Sequence, residues 1–129
     1  MLNYFFRPSS VAVIGASKSP GKVGYAILKN LLDGGFKGAI VPVNPSAKEL
    51  LGLPCYPDLA AYGKIVDLAV VVVPVPAVRA AVESAIAASV KSVVVITAGF
   101  KETGADGAAL ERELAHLCTS RGVRMLGPN

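Results

Sequence analysis

Residues 10–24 read SVAVIGASKSPGKVG, and this stretch carries the clearest fold pattern in the chain. Residues 10–15 form a short apolar run that ends in a glycine, which is typical of a buried strand. A glycine-containing loop follows, and then apolar residues recur at helical spacing until Gly34 and Gly35 end the pattern. The stretch therefore predicts a strand, a loop and a helix, with an inner helical stripe made of Val23, Ala26, Ile27, Asn30 and Leu31.

The same alternation continues along the chain. Further strands are predicted at 38–43, 67–73, 92–97 and 123–126, and helices begin near Pro76 and near Asp106. The irregular stretch 46–64 is predicted to hold a short helical turn near 47–51 and a second one after Pro57. Pro42, inside a strand, is expected where a missing N–H costs nothing. Crossovers of more than a dozen residues predict an α/β fold, a Rossmann-like doubly wound parallel sheet of about five strands with helices on both faces.

Composition limits the class of protein. The chain has 129 residues, of which 53% are hydrophobic and 17% charged, and 13 basic minus 9 acidic residues give +4. These values predict one domain and exclude intrinsic disorder. No apolar run is long enough for a membrane helix, no signal peptide is recognisable, and no block of basic residues suggests nucleic acid. Cys55 and Cys118 stand too far apart to indicate a zinc or redox pair, so we predict a cytoplasmic protein without a metal site.

The loop after the first strand is a candidate anion site. Glycine allows close backbone approach, and the N-terminus of the following helix offers unpaired N–H groups and the positive end of its dipole. Ser17 and Ser19 add hydroxyl donors, and Lys18 and Lys22 add positive charge. The alternative is a glycine-rich turn that serves only tight packing of strand and helix.

Two common phosphate-binding motifs fit this loop poorly. A P-loop has four residues between its first glycine and Gly-Lys, followed by Ser or Thr, whereas here five residues separate Gly15 from Gly21 and Val23 replaces the hydroxyl. The dinucleotide fingerprint has a second glycine where this chain has Ser17, and an acidic residue after the second strand, where this chain has Asn44. NAD is therefore disfavoured but stays open.

Six motifs in order resemble a known family: FRPSSVAVIGAS at 6–17, GKVG at 21–24, VNP at 43–45, DLAVVVVP at 67–74, ITAGF at 96–100 and LGPN at 126–129. Together they are similar to the N-terminal CoA-binding domain of NDP-forming acyl-CoA synthetases. That family includes the ADP-forming acetyl-CoA synthetases and is related to the succinyl-CoA synthetase α subunit. The resemblance spans the chain and implies that 1–129 is one CoA-binding domain from a longer multidomain protein.

The resemblance also implies a binding site for coenzyme A at the strand ends. Its phosphates would lie at the first loop, its adenine and ribose at the end of the second strand, its pantetheine arm at the third and its thiol at the fourth. Lys48 is assigned to the 3′-phosphate from spacing alone. The implied residues are Gly15, Ala16, Ser17, Gly21, Lys22, Val43, Asn44, Pro45, Lys48, Val73, Pro74, Thr97, Ala98 and Gly99.

The implied activity belongs to a whole synthetase, which joins an acid to CoA through an acyl phosphate at the expense of a nucleoside triphosphate. The expected partners are a second flavodoxin-like domain and an ATP-grasp region, and no catalytic residue is assigned to this chain. His116, the single histidine, is predicted to be a surface or helix-packing residue. Two alternatives stay open, a stand-alone CoA- or NAD(P)-binding regulatory domain and the CoA-binding part of a fused protein acetyltransferase.

Overall fold

A central parallel sheet organises the molecule. The computed structural model describes residues 8–96 and 105–127. The strands are β1 (Ser10–Ile14), β2 (Ala39–Val43), β3 (Glu49–Leu50), β4 (Leu53–Pro54), β5 (Leu68–Val71), β6 (Ser92–Val95) and β7 (Arg124–Leu126). The helices are α1 (Val23–Asp33), α2 (Leu59–Tyr62), α3 (Val75–Ala87) and α4 (Ala105–Ser120). In the described part of the chain, none of these helices is long and apolar enough to cross a membrane.

The strand order places a crevice beside β1. The sheet runs β2-β1-β5-β6-β7, and every neighbouring pair is parallel. From β1 the chain goes first to β2 on one side, and later to β5 on the other side. In open α/β sheets the two connections diverge at such a point and leave a crevice at the carboxyl ends of the strands. The predicted Rossmann-like class is therefore confirmed.

Both faces of the sheet are covered, as predicted. Every residue of β1 is buried, and its apolar side chains alternate between the two faces of the sheet. Ala12 and Ile14 belong to the cluster that contains Val78 of α3 and Leu114 of α4. Val13 belongs to the opposite cluster, with α1 and the β3–β4 hairpin. A strand that is buried on both faces needs a continuous apolar sequence, and this explains the run 11–14.

The β3–β4 hairpin corrects one prediction. Residues 49–54 form a short antiparallel hairpin rather than the helical turn predicted near 47–51. Leu51 and Gly52 both have positive φ, at 51° and 83°. Two central residues with positive φ give the type I′ turn that favours a tight hairpin, so the Leu-Gly pair specifies a strand reversal. The short helix predicted after Pro57 is present as α2.

The packing of α1 corrects a second prediction, the set of buried residues on this helix. The predicted stripe is correct at Ile27 and Leu31, which are half-buried against the core. It is wrong at Val23, Ala26 and Asn30, which are exposed, and it omits Gly24 and Leu28, which are buried. A Cβ atom at Gly24 would lie 2.0 Å from the Gly15 carbonyl oxygen, so the start of α1 approaches the loop more closely than any side chain allows.

Pro42 fits because β2 lies at the edge of the sheet. Its carbonyl accepts a hydrogen bond from the Tyr56 N–H, on the side away from β1. The N and carbonyl of one strand residue point to the same side, so the proline nitrogen also faces outward and β1 loses no partner.

Candidate functional site

A cavity of about 560 Å³ opens at the carboxyl ends of β1, β2 and β5. It lies where the strand order reverses, which is the position that the fold predicts for a ligand. Its size is within the usual range for small-molecule sites. Its lining residues are Ile14, Gly15, Ala16, Ser17, Lys22, Val23, Gly24, Val43, Asn44, Pro45, Pro57, Val72, Val73, Pro74 and Ile96.

The loop between β1 and α1 lines this cavity and is closely packed on both sides. Gly15 has a φ of +101°, and an added Cβ would lie 2.7 Å from the Val72 carbonyl oxygen after β5. Gly24 brings α1 against the carbonyl of Gly15 from the other side. Glycine is required at both positions for the loop to pass between β5 and α1. Tight packing of strand and helix therefore explains these two glycines.

The loop also has the chemistry of an anion site. The Ser17 hydroxyl accepts a hydrogen bond from the Ser19 N–H at 3.0 Å, and the Ser19 carbonyl accepts one from the Lys22 N–H at 2.9 Å. Helix α1 begins after Lys22 with no side-chain cap and no acidic residue in its first turn. Its first N–H groups and the positive end of its dipole are therefore available to an anion. Lys22 is the one charged residue that lines the cavity within the described ranges.

Asn44 connects this loop to the end of β2. Its Nδ2 donates to the Ala16 carbonyl at 2.8 Å, and its Oδ1 accepts from the Ser46 N–H at 2.7 Å. Its backbone N–H donates to the Tyr56 carbonyl at 2.9 Å. The Cys55 thiol donates to the Asn44 carbonyl at 3.7 Å. Both ends of the Asn44 amide are thus bonded within the protein.

The remaining walls are apolar. Val72, Val73 and Pro74 follow β5, and Pro57 and Ile96 complete the lining. Val72 is positioned by its N–H, which donates to the Ile14 carbonyl at 2.9 Å, and Ile96 by its N–H, which donates to the Val71 carbonyl at 3.0 Å. The cavity therefore combines one group of potential anion donors with otherwise largely apolar walls, a pattern typical of sites for amphipathic small molecules.

The predicted site residues are largely brought together. Nine of them line the cavity: Gly15, Ala16, Ser17, Lys22, Val43, Asn44, Pro45, Val73 and Pro74. Gly21 lies in the exposed turn before Lys22, with no atom within 4 Å of an added Cβ, and Lys48 is exposed before β3; neither lines the cavity. Thr97, Ala98 and Gly99 lie outside the described residues.

The prediction missed six lining residues. Ile14, Val23, Gly24, Val72 and Ile96 are close neighbours of predicted residues or motifs, and a wider window at each strand end would have included them. Pro57 is different, because it arrives from the segment after the hairpin. Tyr56 pairs with Val43 at the edge of the sheet and so carries Pro57 to the cavity. The pairing joins two segments with no recognisable strand pattern at Tyr56, so the sequence does not indicate it.

The other candidate groups do not line the cavity. His116 is exposed on α4, in agreement with its predicted surface position. Cys55 and Cys118 are both buried free cysteines. Burial raises the pKa of both thiols above the ordinary value of 9.0, although two backbone hydrogen bonds partly oppose the rise at Cys55. A raised pKa leaves little thiolate at neutral pH, so neither cysteine has the character of a nucleophile.

Comparisons with known proteins agree with this geometry. The family model described as a CoA binding domain matches residues 9–129. Acetate–CoA ligase [ADP-forming] I of Archaeoglobus fulgidus is 50% identical over 124 residues, which are 96% of this chain and 18% of that ligase. Acetate–CoA ligase [ADP-forming] of Methanocaldococcus jannaschii is 44% identical, over 99% of this chain and 18% of the relative. The chain thus spans less than a fifth of either ligase.

Solved structures extend the comparison. A dinucleotide forming acetyl-coenzyme A synthetase 1 from Ca. Korarchaeum cryptofilum, in complex with phosphate and ADP, matches with a TM-score of 0.94 and 49% identity. The match covers all of this chain and 27% of that one. A conserved hypothetical protein from Pyrococcus furiosus matches with a TM-score of 0.73 and 30% identity, over 93% of this chain and 94% of that one. The model match over nearly the whole length, together with these relatives, shows that the chain belongs to the CoA-binding domain family.

Proposed function

We propose that this chain binds coenzyme A in the carboxyl-end cavity, as the CoA-binding domain of an NDP-forming acyl-CoA synthetase. The observation that carries the proposal is the uncapped N-terminus of α1 beside Lys22, at one end of an otherwise apolar cavity. Coenzyme A has phosphates at one part and a long neutral arm at another. Both chemical requirements are met by one cavity in a chain of the matching family.

Individual roles follow from this chemistry. The Gly15 N–H already donates to the Val43 carbonyl, so Gly15 contributes close backbone approach rather than a donor. The phosphates take the backbone N–H groups of Ala16 and Ser17, those at the start of α1, and the Lys22 ammonium group. The adenosine lies beside Val43 and Pro45, and the neutral arm runs along Val73 and Pro74. Gly21 supports the turn that leads into α1. Lys48 and the segment 97–99 keep the roles that the family resemblance implies, the 3′-phosphate and the thiol end respectively.

The parent reaction that we propose joins a carboxylic acid to CoA, with conversion of ATP to ADP and phosphate. The chain holds CoA, and a second flavodoxin-like domain and an ATP-grasp region supply the remaining chemistry. Relatives named as ADP-forming ligases, of which this chain covers 18%, support this larger assignment. Reading the native gene beyond codon 129 tests it directly, because both further domains are expected there and a stop codon would contradict the assignment.

A stand-alone ligand-binding domain is the second candidate. It is favoured by the hypothetical protein from Pyrococcus furiosus, of which this chain covers 94%. That chain of similar extent matches at 30% identity, so the fold also occurs without a much longer chain around it. In this case the same cavity would bind CoA or a nicotinamide dinucleotide for a regulatory purpose.

Calorimetric titration with CoA, ADP and NAD tests the ligand. We expect CoA to bind most tightly, ADP more weakly because it lacks the pantetheine arm, and NAD weakest. Asn44 replaces the carboxylate that normally holds the NAD ribose, and both ends of its amide are already bonded. Tight NAD binding without a response to CoA would contradict the proposal.

A further inference from the structure

A side-chain hydrogen bond connects the loop between β1 and α1 (the phosphate loop) to the end of β2. It runs from Asn44 Nδ2 to the Ala16 carbonyl, and within the described ranges it is the one bond between these two segments that involves a side chain. Ala16 is 1% exposed, so this carbonyl lies in a dry environment where a lost partner is costly. Gly15 on one side is fixed by the hydrogen bond from its N–H to the Val43 carbonyl at 3.1 Å, and Ser17 on the other side is fixed by the bond that its hydroxyl accepts from the Ser19 N–H. The direction of the peptide between Ala16 and Ser17 therefore depends on Asn44.

The direction of this peptide group decides whether the loop attracts or repels an anion. The peptide group is planar and trans, so the Ala16 carbonyl and the Ser17 N–H point to opposite sides of it. A carbonyl oxygen that faced a phosphate would repel it, whereas an N–H that faces it donates a hydrogen bond. A bond that holds the carbonyl toward Asn44 keeps its lone pairs away from the anion.

Asparagine suits this task better than the carboxylate found in dinucleotide-binding folds. The Ala16 carbonyl needs a donor, and an ionised aspartate offers only acceptors. The second end of the amide is used as well, since Oδ1 accepts from the Ser46 N–H and so fixes the side chain in place. The backbone of Asn44 is held by Tyr56, which anchors the residue from the outer edge of the sheet.

We infer that Asn44 is a positioning residue for phosphate binding: it orients the peptide between Ala16 and Ser17 so that the N–H of Ser17, and not the carbonyl of Ala16, serves the anion. The inference deepens the proposed function and rests on it for the identity of the ligand. It assigns Asn44 a role through the loop rather than through contact with adenine or ribose.

Two substitutions remove the hydrogen bond from Asn44 to the Ala16 carbonyl. Asn44→Ser and Asn44→Asp both keep an acceptor that can serve the Ser46 N–H. The ionised aspartate has no donor for the Ala16 carbonyl, and the serine hydroxyl lies one bond nearer the backbone than Nδ2 and is too short to replace its 2.8 Å hydrogen bond. Asn44→Asp preserves the size of the side chain but adds a negative charge beside the loop. Asn30→Asp is the matched charge control, because Asn30 is exposed on α1 and does not line the cavity.

Calorimetry with CoA and the amide NMR spectrum of the ligand-free chain are the two measurements. We expect Asn44→Ser to weaken CoA binding about tenfold, a typical cost of one lost positioning hydrogen bond in a buried setting. Asn44→Asp should weaken it further, and Asn30→Asp should stay within about twofold of wild type, as expected for an exposed charge. The Ser17 amide resonance should shift in both Asn44 variants without ligand, while that of Val93 in β6 should not.

The outcomes separate the possible explanations. Wild-type CoA affinity in Asn44→Ser would overturn the inference. A loss of affinity with an unshifted Ser17 amide would also overturn it, because Asn44 would then contact the ligand directly. If Asn44→Asp does not fold, Asn44→Ser decides. If wild-type protein fails to bind CoA, the proposed function fails, and the Ser17 resonance still tests whether Asn44 sets the loop.

Discussion

The two ends of the parallel strands, here called the carboxyl edge and the amino edge, differ in charge and in cavity volume. The carboxyl edge, formed by residues 14–17, 43–45 and 72–74, holds the cavity of about 560 Å³, and Lys22 is its one charged lining residue in the described ranges. The amino edge, formed by residues 63–65, 87–91 and 121–123, has two smaller cavities of about 220 and 230 Å³. Three basic residues line them, namely Lys64, Lys91 and Arg121.

Helix direction explains the difference. In a parallel sheet with helical crossovers, helix N-termini face the carboxyl edge and helix C-termini face the amino edge. Lys64, Lys91 and Arg121 follow closely after the ends of α2, α3 and α4. Cations near a helix C-terminus complement its negative end, so these charges have a structural explanation. The positions of the basic residues therefore do not indicate where the ligand site lies in this chain. The direction of the helices does, because their N-termini face the carboxyl edge.

The largest expected effect tests whether the carboxyl edge depends on close backbone approach. Gly24→Ala would place a Cβ 2.0 Å from the Gly15 carbonyl, and either α1 or the loop must then move. We expect the free energy of unfolding to fall by about 3 kcal/mol, which is the upper range for overpacking, and CoA affinity to fall at least tenfold. Urea unfolding and calorimetry measure the two effects.

Gly21→Ala is the matched control, three residues earlier. An added Cβ there meets no atom within 4 Å, so stability should change by less than about 0.5 kcal/mol, as at other surface sites. Equal losses of stability at Gly21 and Gly24 would show that the contact with Gly15 is not what makes Gly24 sensitive to substitution.

The second prediction compares one charge at each edge. Lys22→Gln should weaken CoA binding about tenfold, since a hydrogen bond to a charged group contributes roughly 1.5–3 kcal/mol. Lys91→Gln makes the same change at the amino edge and should leave the affinity within about twofold. Calorimetry at low and high salt provides the measurement, and the Lys22 effect should shrink at high salt. Equal losses in both variants would mean that net charge, and not position, attracts the ligand.

The sequence predicted the carboxyl edge well because its evidence is local. The β-branched runs specify the strands, the crossover lengths make them parallel, and a parallel sheet fixes which residues meet at the strand ends. Gly15, Ser17, Asn44 and Pro74 could therefore be placed together from their positions directly after strands. The structure agrees with these placements, since all four line one cavity.

What the sequence did not predict depends on distances between elements. Helix α1 approaches Gly15 so closely that Gly24 is buried, while Val23 is 56% exposed. The spacing of apolar residues along the sequence does not predict the distance between a helix and a loop. Pro57 reaches the cavity only because Tyr56 pairs with Val43. The Leu51-Gly52 turn was a local pattern and could have been recognised, because glycine in such a pair favours a hairpin.

The third prediction concerns structural polar groups at the amino edge. The Ser10 hydroxyl accepts from the Asp67 N–H at 2.9 Å, while the Ser92 hydroxyl is buried without a partner in the described part of the chain. Ser10→Ala should lower the free energy of unfolding by about 1 kcal/mol, because the Asp67 N–H loses its acceptor. Ser92→Ala should leave it unchanged or raise it slightly. Urea unfolding measures both, and CoA affinity should stay at the wild-type value.

A fall in CoA affinity in Ser10→Ala would contradict the division between a binding edge and a structural edge. A loss of stability in Ser92→Ala would indicate that its hydroxyl does have a partner.

The smallest expected effect compares the two buried thiols, one beside each edge. Cys55 is 8% exposed and contacts Asn44, whereas Cys118 is 1% exposed near the end of α4. Burial raises the pKa of both above 9.0, so alkylation by iodoacetamide at pH 9 should be slower than for an ordinary half-ionised cysteine. Desulfo-CoA, which has no thiol to consume the reagent, should slow the reaction of Cys55 about threefold by stabilising the folded contacts around Asn44. The rate at Cys118, followed by mass spectrometry, should not change; equal protection of both thiols would mean that the ligand stabilises the whole fold rather than the carboxyl edge.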